Sequence, residues 1–230
     1  MSFVEEADVQ ATAEGMVRAV FAEVLDAELP DPFPRLTWRE AMERYGSDKP
    51  DLRLPLELVS IDEHVAQVDF RVFSGPARDP SQRVAALRVP GGAELSRKQI
   101  DDLADYVVRY GAKGLAWIKV NDAAGGLEGL QSPIAKFLDE ASWRGIAGAT
   151  GATDGDLLLF GAGDWAVTSS FMGQLLVRVG HQRGLVKHDW APLWVTDFPM
   201  FEWDEETQRY YAMHHPFTAP RLADAEALAN

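Results

Sequence analysis

The chain has 230 residues, 47% of them hydrophobic and 25% charged, with a formal net charge of −14 and a pI near 4.7. Without cysteine it has no disulfide, thiol nucleophile or cysteine zinc site, and its acidity rules out holding DNA or RNA through its bulk field. Charges interrupt every apolar run, so no membrane span is expected. The acidic start "MSFVEEADVQ" is no secretory leader, and a cytoplasmic protein is expected.

Apolar residues recur at helical spacing through Val9, Ala13, Met16, Val17, Val20, Phe21, Val24 and Leu25, predicting a helix over 5–27 with one buried face. Glu5, Glu6 and Asp8 fall in its first turn, where they suit the helix dipole. Three prolines in "LPDPFPRL" end it. "TWRE" sets Thr37 three residues ahead of Glu40, the reciprocal capping box of a short helix that Gly46 closes. The polar, aperiodic "RYGSDKPDLR" follows as a loop.

From Leu54 the texture changes. "AQVDFRVFS" and "RVAALRVP" read as strands joined by "GPARDPSQ". "LSRKQIDDLADYVVRYGAKG" is a helix capped by Ser96 with Gln99 and followed by Gly111. "GLAWIKV" is a strand and "NDAAGGLEGLQ" a loop. "SPIAKFLDEASW" predicts a helix with Ser132 as cap and Pro133 at its first position. "DGDLLLFGAG" reads as a buried strand and "TSSFMGQLLVRVGHQRG" as a helix closed by Gly184. The order predicts an α+β fold, a mixed β-sheet with helices packed on it. "APLWVTDFPMFEW" and "RYYAMHHPF" read as a hairpin-like strand pair about "DEETQ", and "RLADAEALAN" as a loose tail. Residues 54–187 thus form a self-contained unit between 1–53 and 188–230, two pieces that have only each other to complete a sheet.

Chemistry narrows to few residues. His214 and His215 are consecutive, and neighbours on an extended chain face opposite ways, so the pair is a poor metal clamp. Pro216 presses His215 toward extended geometry and strengthens that objection. No G-x-S-x-G elbow or phosphate-cradling glycine loop occurs, and Asp101 with Asp102 reads as a solvated helix face. Two readings of the histidines remain, backbone-satisfied side chains or a hydrogen-bonding contact to a carboxylate ligand. Any RNA contact would have to come from a local patch or from a partner domain.

Together "RYGSDKPDLR", "RVPGGAELSRKQID", "YGAKGLAWIKV", "SPIAKFL" and "LWVTDFPMFE…AMHHPFTAP" closely resemble bacterial aspartyl-tRNA synthetase, in that family's order and spacing over nearly the whole chain. The resemblance implies a class II enzyme that activates L-aspartate with ATP and Mg2+ and transfers it to tRNA. It implies a catalytic-domain segment following motif 2 over 1–53, a two-layer GAD insertion domain over 54–187, and a catalytic-domain segment with the HHPFT loop over 188–230. No position matches motifs 1, 2 or 3 or the magnesium-holding acidic residues. So no catalytic or metal residue is assigned, no ATP or Mg2+ is expected bound, and the chain alone is expected inactive. The parent is implied to be a homodimer and this piece a monomer. His214 is implied to contact the bound aspartate, with His215 beside it in the same substrate loop, while "GSDKPDLR" joins catalytic part to insertion. The rival reading is a free-standing GAD-type binding module related to a tRNA-dependent amidotransferase subunit; it leaves "DFPMFE…HHPFT" without a place.

Overall fold

The structure, a computed structural model, describes residues 4–187, 189–204 and 207–215. It begins with α1 (Glu6–Leu25), β1 (Arg35–Thr37), α2 (Trp38–Tyr45) and β2 (Leu58–Ser60). Two single-turn helices, α3 (Asp62–Val65) and α4 (Arg71–Ser74), lead to β3 (Gln82–Val89), α5 (Arg97–Val108), β4 (Ala116–Val120) and β5 (Leu130–Gln131). Then come α6 (Glu140–Thr150), β6 (Leu157–Asp164) and α7 (Trp165–Gln182), followed by β7 (Trp194–Thr196), β8 (Phe201–Asp204) and β9 (Arg209–Ala212).

Five strands make the main sheet in the order β2-β3-β6-β4-β5. The two long strands pair along their whole length, from Gln82 opposite Asp164 to Val89 opposite Leu157. Successive side chains face opposite ways. Ala85, Leu87 and Val89 therefore join Leu157 and Leu159 in one core, under α5 and α7. Val84 and Ala86 join Leu158 and Phe160 in another, where Val65, Phe73, Trp143 and Ile146 cover them. Burial on both faces is why these strands read as unbroken apolar runs rather than alternating ones.

The α+β class stands, with two refinements. Every pairing in this sheet is antiparallel, where a mixed sheet was expected. The strand–helix–strand run β3–α5–β4 does carry two strands in one direction, but β6 inserts between them, antiparallel to both. Helices also lie on both faces, giving three layers where two were expected.

The caps follow their sequence signals. Thr37 and Glu40 exchange hydrogen bonds, Glu40 N to Oγ1 at 3.2 Å and Thr37 N to Oε2 at 2.8 Å. Gly46 ends α2 at φ 64°, a left-handed conformation that glycine adopts without strain. There the chain meets α7 at Gly173, where a Cβ would lie 2.6 Å from the Tyr45 carbonyl oxygen.

Three expectations fail for identifiable reasons. "AQVDFRVFS" holds no strand; it carries a bend after α3 and then α4, and Val68 and Phe73 bury themselves against Phe160 and its neighbours in the second core. The "SPIAKFLDEASW" helix starts only at Glu140, capped by Asp139, whose side chain accepts the Ser142 N–H at 2.8 Å. Ser132 instead donates to the Trp117 carbonyl and accepts the Ile134 N–H, a local turn that competes with a helix start. Helix α1 does form, but Val9, Met16, Val20 and Val24 are exposed while Gln10 and Glu14 are buried.

The loop "GSDKPDLR" closes the unit at its base. Asp51 grips the Arg53 guanidinium with both oxygens at 2.8 Å, and His181 Nε2 lies 3.7 Å from Asp51 Oδ2. Leu54 packs on Gly180 of α7, and Lys187 N donates to the Arg53 carbonyl at 3.0 Å. Entry and exit of 54–187 thus lie side by side. Among the described residues, no helix is long and apolar enough to cross a membrane.

Candidate functional site

The two flanks build one small assembly. β1 and β7 pair in parallel, Arg35 with Trp194 through Thr37 with Thr196. A buried carboxylate on α1 ties them together. Glu14 Oε1 accepts the Trp194 indole N–H at 2.8 Å and an Arg35 N–H at 3.0 Å, and Oε2 accepts the Phe33 N–H at 3.1 Å. Arg35 Nε also donates to Gln10 at 3.1 Å. Burial opposes ionisation of Glu14, but the Phe33 N–H, the Trp194 indole and the Arg35 and Arg18 charges outweigh it and hold the carboxyl below its ordinary range. This explains the burial of α1: the helix docks through Gln10 and Glu14, with Val17 and Phe21 half-buried beside them.

Beyond β7 the chain turns at Asp197, φ 58°, and runs into the antiparallel β8–β9 hairpin, Phe201 opposite Ala212. The hairpin is rich in exposed aromatics, Phe201, Trp203, Tyr210 and Tyr211. Past its end, Met213 N donates to the Met200 carbonyl at 2.9 Å, extending the ladder by one step. That bond sets His214 against Phe198, edge to face, with ring centroids 5.7 Å apart and planes at 87°.

The two predicted site residues then part company. His214 is half-buried and its Nε2 is fully buried, with no hydrogen-bond partner among the described residues. His215 is exposed. Among the described residues no three His, Asp or Glu side chains gather as a metal-binding group. The proline of the "HHP" motif, the rest of that loop and the "RLADAEALAN" tail lie outside the described residues.

A buried, unsatisfied imidazole nitrogen is uncommon, because losing water without a new partner costs about 1–3 kcal/mol. Phe198 fixes the ring plane, and Nε2 can donate to or accept from whatever group enters. Sequence reading missed both Phe198 and Glu14. The signal for Glu14 was faint: an acidic residue set between Gln10, Val17 and Phe21 on one side of α1, at the border of the apolar stripe.

Residues 73–172 match the family model of the GAD domain. All 230 residues align at 57% identity with an aspartate--tRNA ligase of Stenotrophomonas maltophilia strain K279a, covering 39% of that protein. A relative of the same name from Stenotrophomonas maltophilia strain R551-3 aligns at 56% over 230 residues, with 39% covered. Another from Xanthomonas campestris pv. campestris strain B100 aligns at 56% over 230 residues, with 38% covered. The chain spans about two fifths of the length of the curated relatives it matches. Its likeness to a portion of these ligases runs through the GAD domain and both flanks.

Proposed function

We propose that the chain forms the insertion domain and part of the aspartate pocket of an aspartate–tRNA ligase, which activates L-aspartate with ATP and transfers it to tRNA. His214 donates from Nε2 to a carboxylate oxygen of the bound aspartate, a charge-assisted bond stronger than a neutral one. His215 borders the substrate in the same loop, whose closure excludes water. The observation that carries this reading is the buried Nε2 of His214 that no described residue satisfies.

Residues 1–53 and 188–230 are catalytic-domain segments in this reading, and 54–187 is the insertion. The bond from Lys187 N to the Arg53 carbonyl supports it, since an insertion must leave its host where it entered. The match over all 230 residues supports the ligase over a free-standing GAD-type module, which would account for 73–172 and leave the flanks unexplained. The ligase acts as a cytoplasmic homodimer, and the chain by itself is a monomer without turnover.

The test replaces the matching stretch of the Stenotrophomonas maltophilia ligase with this chain and measures aspartate-dependent ATP–pyrophosphate exchange. The chimera is expected to exchange with aspartate, and the 230-residue chain alone is not. His214→Phe in the chimera is expected to raise KM for aspartate about tenfold or more, the loss of one charge-assisted hydrogen bond, with little change in KM for ATP. An unchanged aspartate KM in His214→Phe, or a folded chimera without aspartate-dependent exchange, sinks the reading.

A further inference from the structure

Away from the histidine loop, a cleft of about 680 Å³ opens between α2, β2, the turn that precedes β3, and the start of α7. Four arginines line it, Arg39, Arg44, Arg78 and Arg83, against the carboxylates of Glu43, Asp62 and Asp79. Each carboxylate is already engaged. Glu43 takes the Arg39 Nε–H at 2.5 Å, and Asp62 accepts the Val84 N–H at 2.6 Å and the Ser60 hydroxyl at 2.5 Å. Asp79 accepts the Ser81 N–H at 2.9 Å and the Gln82 amide at 2.8 Å. Arg44 is held by both oxygens of Glu57, at 2.7 and 2.9 Å.

Arg78 and Arg83 remain without an ion pair among the described residues. Arg78 donates to the Ala66 carbonyl at 2.6 Å. Arg83 is 3% exposed and donates only to neutral acceptors, Ser169 Oγ at 2.9 Å and the Glu43 carbonyl at 3.1 Å. Those bonds engage two of the five N–H donors of a guanidinium. Asp62 and Glu43 act on this guanidinium only from beyond ion-pair distance, and a charge kept this dry without a direct ion pair is costly. The three carboxylates of the cleft are spent on other donors, which leaves Arg78 and Arg83 without a direct ionic partner among the described residues.

We infer that this cleft is a phosphate-binding site, in which Arg83 and Arg78 supply the charge and the hydrogen bonds. A tetrahedral phosphate accepts donors arriving from different directions, as from β3 and the turn before it, whereas a planar carboxylate suits a single fork. The volume exceeds what inorganic phosphate fills and suits a nucleotide-sized group. Two sources share that chemistry, a small phosphate-bearing molecule and the backbone of RNA. The inference is independent of the aspartate contact at His214.

The experiment titrates the chain at low salt with inorganic pyrophosphate and, separately, with a ten-residue oligouridylate, following heat and the indole N–H signal of Trp165, which borders the cleft. Binding is expected to shift that signal, to weaken with salt and to fall about tenfold in Arg78→Gln. Arg83→Lys is expected to weaken it further; should that variant unfold, Arg78→Gln decides, since Arg78 lies on an exposed turn. Pyrophosphate alone binding identifies a small-molecule site, and competition between the two probes identifies an RNA-backbone site. No binding by either probe, or binding unchanged in Arg78→Gln, overturns the inference.

Discussion

His214→Phe separates a ligand-seeking histidine from a structural one. The substitution keeps a ring against Phe198, 5.7 Å away, and deletes the nitrogen that has no partner among the described residues. An unsatisfied buried group costs about 1–3 kcal/mol, and a half-buried ring that can reach water in small openings belongs at the low end, about 1 kcal/mol. Replacing it with an apolar ring of similar shape should return that amount to the β8–β9 hairpin. The hairpin's ladder joins β8 and β9 to each other, so the gain should appear as local rather than global stability. The probe is hydrogen exchange at the Met213 amide, which bonds the Met200 carbonyl at 2.9 Å. About 1 kcal/mol corresponds to roughly fivefold slower exchange in His214→Phe. Exchange that speeds up severalfold would mean the nitrogen is satisfied in solution, and the case for a waiting ligand contact would fail with it.

Gly173→Ala should destabilise by about 2 kcal/mol in urea titration, since about 1 kcal/mol of helix propensity is gained but the new methyl meets backbone oxygens that cannot step aside. A neutral or stabilising result would mean that α2 and α7 are less tightly engaged than described. Trp194→Phe removes one donor to buried Glu14 and should speed amide exchange along α1 while leaving α5 unchanged; equal effects on both helices would refute the local tie. Asp156→Asn should cost about 3 kcal/mol, because the buried carboxylate accepts from Arg88, from the Gly91 and Thr153 N–H groups and from the Thr153 hydroxyl. Burial opposes ionisation of Asp156, but the Thr153 and Gly91 N–H groups and Arg88 outweigh it and hold its pKa below the ordinary value. Its contribution is therefore complete above about pH 4 and lost as pH falls through the lower folded value. Asp156→Asn should flatten the acid limb of the stability curve there; an unchanged limb would count against the pairing.

Much of the fold was legible because its signals were local. The boxes at Thr37–Glu40 and Ser96–Gln99 are spelled within four residues, and the structure forms both. The two eight-residue strands announced themselves as apolar runs. Direction was not legible, because β6 enters between β3 and β4 through contacts some seventy residues distant in sequence, and alternation carries no record of that. The 66–74 error has the same root. A short apolar segment reads as strand or helix equally well, and the packing of Phe73 against Phe160 settles it.

The candidate site rests on signals of a different kind. Geometry alone had split His214 from His215, and the structure keeps them apart, one half-buried and the other exposed. What the sequence concealed was how the first is held. The hold passes through Glu14, 180 residues from Trp194, which anchors β7 and with it the start of the turn that carries Phe198. A buried carboxylate on α1 therefore governs where the histidine stands. The exposed valines of α1 follow from the same arrangement, since the helix cannot turn Glu14 inward and bury Val20 on this assembly together. Glu14→Ala is accordingly expected to rotate or release α1 and lower the Trp194 indole protection at once, a coupled loss that a helix docked through its valines would not show.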